Sequence, residues 1–128
     1  MSNKTDVTPL ILDIVEFLSA LTDLKRACRK AESLKTADGK TSAVDYVFED
    51  GTGRQAGLRK SEKGFEVVKD CHGLSPEAMK TQEKSVNEIV RRYSQRKVVK
   101  ELQAQGYSVA EEEKRADGTI RILARKWG

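Results

Sequence analysis

The apolar residues of this chain change period and then change back, twice over. From Ile14 onward, Phe17, Leu18, Leu21, Leu24, Cys28 and Ala31 recur at intervals of three and four with charged residues between them. That spacing lays one apolar stripe along a helix. Between 43 and 70 the pattern becomes the short alternating runs AVDYVFEDG, GRQAGLRK and GFEVVKD, parted by Asp50-Gly51 and by SEKG. Runs broken in this way read as an antiparallel meander. Helical spacing returns with Val86, Ile89, Val90, Tyr93, Val98, Val99 and Leu102, stops at Gly106, and gives way to alternation in YSVAEEEKRADGTIRILARKW. Helices and strands that are each apolar on one side bury those sides against one another. The pattern therefore predicts an α+β fold: a single two-layer domain over 1–128, with two long helices on one face of a mainly antiparallel sheet. A length of 128 residues suits one domain, and with aromatics at only 5 % the core should be mainly aliphatic.

The first helix is expected over about 14–34, with Asp13 as N-cap, TADGK ending it, and Cys28 on its buried stripe. VTPLIL (7–12) reads as an edge strand or a bulged one, because Pro9 cannot donate to a ladder. The second helix is expected over about 80–105, after a short turn that Ser75 caps and Pro76 begins, with Gly106 as its C′ residue. Its ridge Val86–Val90–Ser94–Val98–Leu102 steps by four, and the small Ser94 would allow close approach to the sheet. A two-residue Asp117-Gly118 turn would pair Glu113 with Ile122 and Glu112 with Leu123. It would also set Glu112 diagonal to Arg121 and Arg125, so that the closing hairpin neutralises itself. Expected core positions are Phe17, Leu21, Leu24, Val86, Val90, Val98, Ile120 and Ile122.

DGTGRQAGLRK (50–60) and DGTIRILARKW (117–127) share Asp-Gly-Thr-x-Arg, and the chain can be read as β-α-β-β twice, over 7–59 and 64–127. Asp, Gly and Thr are common in turns, so chance is the competing explanation. DIVEFLSALTDL (13–24), GLRKSEKGFEVVKDCHG (57–73) and above all RRYSQRKVVKELQAQGYSVAEEEKRADGTIRILARKW (91–127) bear a family likeness. Through these stretches the chain resembles a family of small hypothetical proteins, a domain of unknown function encoded in cyanobacteria, some plastid genomes and other bacteria. It departs from that family at its start, SNKT, and at Gln95, where the family carries a second aromatic two residues after the helix tyrosine. The resemblance implies a fold and no biochemical activity.

The chemistry-bearing residues are sparse. His72 is the only histidine, and with Cys71 and Asp70 it falls short of a zinc shell. Adjacent loop residues do not converge as a nucleophile and its base must. Gly51, Gly53 and Gly57 lack the Gly-Lys-Ser/Thr that a phosphate loop needs, and Glu111–Glu113 alternate sides of a strand. The expectation is a protein that is not an enzyme, has no cofactor and needs no metal. A net charge of +4 is small for a dedicated nucleic-acid binder. The most coherent basic row is Arg92, Arg96 and Lys100, spaced four apart on the second helix, with Glu88 one step back pairing only with Arg92. The reading is an adaptor that docks a protein partner through that exposed row. The runner-up is a weak nucleic-acid binder adding Arg54, Arg59 and Lys60, with Tyr46, Phe48 or Trp127 as a stacking surface. The opening MSNKTDVTPLILDIV has no basic n-region before an apolar core. With no apolar run long enough to span a bilayer, the expectation is a cytoplasmic protein without membrane contact.

Overall fold

A computed structural model describes residues 11–114 and 120–126. In chain order the elements are α1 (Ile14–Asp23), β1 (Cys28–Lys30), β2 (Ser33–Lys35), β3 (Thr41–Ala43), β4 (Tyr46–Glu49), β5 (Gln55–Ser61), β6 (Gly64–Lys69), α2 (Pro76–Ala104), β7 (Tyr107–Lys114) and β8 (Ile120–Lys126). The fold is α+β. An antiparallel sheet runs β1-β4-β5-β6, and β2–β3 and β7–β8 form separate two-stranded antiparallel sheets.

Both helices cover one face of the four-stranded sheet. Phe17, Ala20 and Leu21 from α1 and Val86, Ile89 and Tyr93 from α2 pack with Phe48, Ala56, Leu58 and Val67 of the strands. Strand alternation turns Val47 and Val68 to the opposite face, where Leu34 of β2 and Val44 close over them. Gly57 makes that second layer fit: a Cβ there would fall 2.5 Å from Val44 Cγ1. Gly57→Ala should therefore cost about 2 kcal/mol through overpacking, read as a lowered urea midpoint. A Gly57→Ala, Val44→Ala double variant should regain part of that loss.

The meander from β4 to β6 matches the sequence expectation, and Ser61 pairs with Gly64 across the two-residue turn of the SEKG stretch. Several boundaries do not match. α1 has ten residues and stops at Asp23, well short of 34. Lys25 takes a left-handed φ of 59°, with Arg26 N–H donating to Leu21 C=O at 2.8 Å and Lys25 N–H to Thr22 C=O at 3.0 Å. That pair of bonds is a Schellman end built without the usual glycine. Cys28 consequently lies exposed on β1 rather than on a buried helix stripe. α2 begins at Pro76, where Ser75 Oγ accepts from Ala78 N–H at 3.1 Å, so the short turn expected there is the helix's own first turn. Gly106 does sit at C′, with φ 89°.

α2 outruns the core. Val86 and Ile89 are buried and Val90 is half-buried, but Ser94 and Val98 are exposed, so the expected ridge meets the sheet only through its first half. Among the expected core residues Phe17, Leu21 and Val86 are buried, Leu24, Val90 and Ile122 are half-buried, and Val98 is exposed. In the closing hairpin Glu113 opposes Arg121 and Lys114 opposes Ile120, one residue from the expected register, with a further shift between Val109 and Glu111. A slip of one residue exchanges the faces of a strand. Tyr107 and Ile122 of this hairpin are both half-buried. Of the strand expected over 7–12, Ile11 forms a single antiparallel bridge with Phe65. Residues 7–10, the Asp117-Gly118 turn, Trp127, and the side chains of Glu112, Ile120, Arg121 and Arg125 lie outside the description.

Candidate functional site

The basic row of α2 lies against α1. Asp13, Glu16 and Asp23 share one face of α1, since three and ten residues turn a helix by 300° and, after whole turns, 280°. α2 runs antiparallel to it and sets Arg92, Arg96 and Lys100 opposite these acids in reverse order. Arg92 Nε donates to Asp23 Oδ2 at 2.8 Å, and Arg96 Nη1 donates to the same oxygen at 2.8 Å. Arg96 Nε reaches Glu16 Oε1 at 2.9 Å, and Lys100 Nζ reaches Asp13 Oδ2 at 2.9 Å. Arg92 Nη1 also donates to Gln95 Oε1 at 2.7 Å. The expectation that Arg96 and Lys100 stay unpaired on an exposed row is therefore corrected: the three charges clasp one helix to the other. Glu88, expected to pair with Arg92, instead takes Arg26 at 2.8 Å.

The acids respond to this setting. The hydrogen bond from Lys100 holds the Asp13 carboxyl below the usual carboxylate range. Burial acts to raise the pKa of Asp23, but hydrogen bonds from Arg92 and Arg96 outweigh it and the net shift is downward. A carboxyl whose folded pKa is depressed adds stability above its unfolded pKa of about 4, and loses it as pH falls through the folded value. Stability should thus fall off below about pH 4, and Asp23→Asn should flatten that acid limb, as measured by urea titrations from neutral to acidic pH.

Tyr93 anchors the clasp from inside the core. Its ring lies 5.8 Å from that of Phe17, and its hydroxyl accepts from Leu12 N–H at 3.2 Å and Asp13 N–H at 3.1 Å. Tyr93→Phe leaves both donors without that partner and should cost about 1–2 kcal/mol, read by denaturant titration. A groove of about 290 Å³ runs beside the clasp, lined by Glu16, Arg92, Gln95, Arg96, Val99, Lys100 and Gln103.

A second polar knot holds the DGTGR turn. Asp50 is buried, and its Oδ1 accepts from the Thr52 N–H and hydroxyl, both at 2.7 Å. Gln82 Nε2 bridges Asp50 Oδ2 at 3.2 Å and Asp70 C=O at 2.7 Å. Asp70 accepts from Ala37 N–H at 3.0 Å and pairs with Arg54 at 3.3 Å. This knot ties the β2–β3 turn, the β4–β5 turn and α2 together. His72 is exposed and Cys71 half-buried. Among the described residues no three His, Cys, Asp or Glu side chains cluster as a metal site. Partial burial holds the Cys28 thiol above its ordinary pKa although the residue as a whole is exposed, so it is not an activated nucleophile.

The family model described as "Protein of unknown function (DUF1257)" matches residues 20–123, most of the chain. The chain belongs to the DUF1257 family. The DUF1257 match takes in Asp23, Arg92, Arg96 and Lys100, whereas Asp13 and Glu16 precede it. No curated protein and no solved structure matches this DUF1257 chain. Sequence reasoning found the three bases but missed their partners. The available signal was the matching acidic face of the first helix, which requires both helices to be considered together.

Proposed function

We propose that this DUF1257 protein is a non-enzymatic binding protein, an adaptor that docks a protein partner in the cytoplasm. The observation that carries the reading is the self-neutralisation of its basic residues. Of the six that would touch phosphates, Arg92, Arg96, Lys100, Arg54 and Arg59 are each paired with a carboxylate of the same chain, leaving Lys60 among the described residues. Phosphate contacts dominate nucleic-acid affinity, and bases already engaged have little to give them. The stacking surface is also weak: Phe48 is buried and Tyr46 half-buried. Apolar side chains meanwhile face outward, Leu12 at 71 % and Val15 at 63 % exposure, as a protein-binding surface allows. Two free cysteines accord with a reducing compartment, and no helix among the described residues is long and apolar enough to cross a membrane.

Affinity capture from the native host, with and without nuclease treatment, tests this reading. A stoichiometric protein partner that survives nuclease is the expected result. Capture of nucleic acid alone, released steeply by salt, would overturn it in favour of the runner-up.

A further inference from the structure

Among the described residues the four-stranded sheet has an open, basic edge, where β1 bonds β4 on one side only. Glu49 N–H donates to Ala27 C=O and Ala31 N–H to Asp45 C=O, while Arg29 is registered opposite Val47. Antiparallel alternation then turns the N–H and C=O groups of Cys28 and Lys30 away from β4. Lys25, Ala27, Cys28, Arg29 and Lys30 are all exposed. Unlike the α2 row, Lys25, Arg29 and Lys30 have no ion-pair partner among the described residues.

Two hollows flank this edge. One of about 190 Å³ is lined by Cys28, Val47 and Phe48 among others, and one of about 240 Å³ by Lys30, Asp45, Tyr46 and Phe65. Cys28 and Lys30 stand two residues apart and so on one side of the strand, the interval at which side chains of a docked strand repeat. Asp45, the one acid at the second hollow, already accepts from Lys60 N–H at 2.7 Å. Cationic side chains on a short edge discourage pairing with a second copy of the same edge. The same charges favour a strand that brings carboxylates.

Resting on the adaptor reading, we propose that the β1 edge takes up an extended acidic segment of the partner protein as an added strand. Main-chain bonds to Cys28 and Lys30 hold it, Lys25, Arg29 and Lys30 meet its acidic residues, and apolar side chains at alternate positions enter the two hollows. This is strand addition, in which the backbone supplies affinity and the alternate pockets supply selectivity.

The test uses the full chain and a short fluorescein-labelled peptide of alternating glutamate and valine, read by anisotropy. Saturable binding is expected, with none for the lysine–valine counterpart. N-methylation of the peptide backbone should weaken binding by at least about tenfold, a comparison that needs no protein variant. Lys30→Pro should do the same, because the N–H it removes points away from β4. A Lys25→Glu, Arg29→Glu, Lys30→Glu variant should abolish binding while keeping the melting temperature. On binding, amide exchange should slow at Cys28 and Lys30 and stay unchanged at Arg29. Absent saturable binding, indifference to N-methylation, or displacement by single-stranded oligonucleotide would each overturn the site. If a nuclease-resistant partner is captured equally well by Lys30→Pro, the adaptor reading stands and this edge is not where it docks.

Discussion

Phe17→Ala should remove about 3–5 kcal/mol of stability, enough to leave a domain of this size marginal or unfolded. Phe17 is fully buried between the two helices and the sheet, its ring 5.8 Å from Phe48 at an edge-on angle of 72° and 5.8 Å from Tyr93. Truncation removes the ring from contacts with α1, α2 and the strands at once. The surrounding residues come from α1, α2 and the strands, and such a site cannot collapse without shifting a whole element. The loss is read as a lower denaturant midpoint with an unchanged slope. Val15→Ala, on the exposed side of the same helix, is the control and should lie within about half a kilocalorie of wild type. Equal effects of the two would mean that the buried face of α1 is wrongly assigned.

Reversal of Arg92, Arg96 and Lys100 to glutamate should lower the melting temperature substantially. The sequence alone predicts the opposite, since a surface row with only Arg92 weakly paired, to Glu88, could be inverted at little cost. Here each inversion replaces an attraction with a repulsion: Arg92 faces Asp23, Arg96 faces Glu16 and Asp23, and Lys100 faces Asp13. The two arginines are about two-thirds covered, at 35 % and 32 % side-chain exposure, so screening reduces the effect without removing it. Counting each lost pair and each new repulsion as a partly screened surface interaction, their reversal costs about 3 kcal/mol. Lys100 adds in the same direction. Added salt should shrink the difference. Glu16→Arg and Asp23→Arg placed in the triple variant should restore much of the melting temperature, which no general damage to the helix would allow. A triple variant that melts with wild type would show that the clasp contributes nothing.

Partner capture by that triple variant cannot be interpreted without this stability measurement, because loss of capture would follow from loosening of α1. The β1 edge avoids the difficulty, since its lysines and Arg29 hold no carboxylate among the described residues.

The residues themselves explain which parts of this fold were legible. The changes of apolar period mark the meander and the two helices, because burial on one side imposes the element's own repeat on the sequence. The end of α1 was hidden because a lysine, not a glycine, takes the left-handed C′ position, and Cys28 then falls at helical spacing by coincidence. The start of α2 is in view as Ser75-Pro76, but local sequence does not distinguish a separate turn there from the helix's own first turn. The closing hairpin shows the opposite case: its strands were legible, yet its register is one residue off, since pairing depends on the loop between the strands as well as on their alternation.

The sequence by itself determined that this is an α+β chain, with a meander and two helices that share one apolar sheet face, since these follow from local period and turn chemistry. It also showed the Arg92–Arg96–Lys100 row, because spacing along one helix is a local property. Only the tertiary structure decided what that row does. Asp13, Glu16 and Asp23 lie about 70 to 90 positions away and meet it only when the two helices pack antiparallel. Likewise, LKRACRK reads as the tail of a helix until the sheet forms and places its CRK as the edge strand β1 among the described residues. Charge at a position is written in the chain, but whether it is paired depends on contacts between segments far apart in sequence.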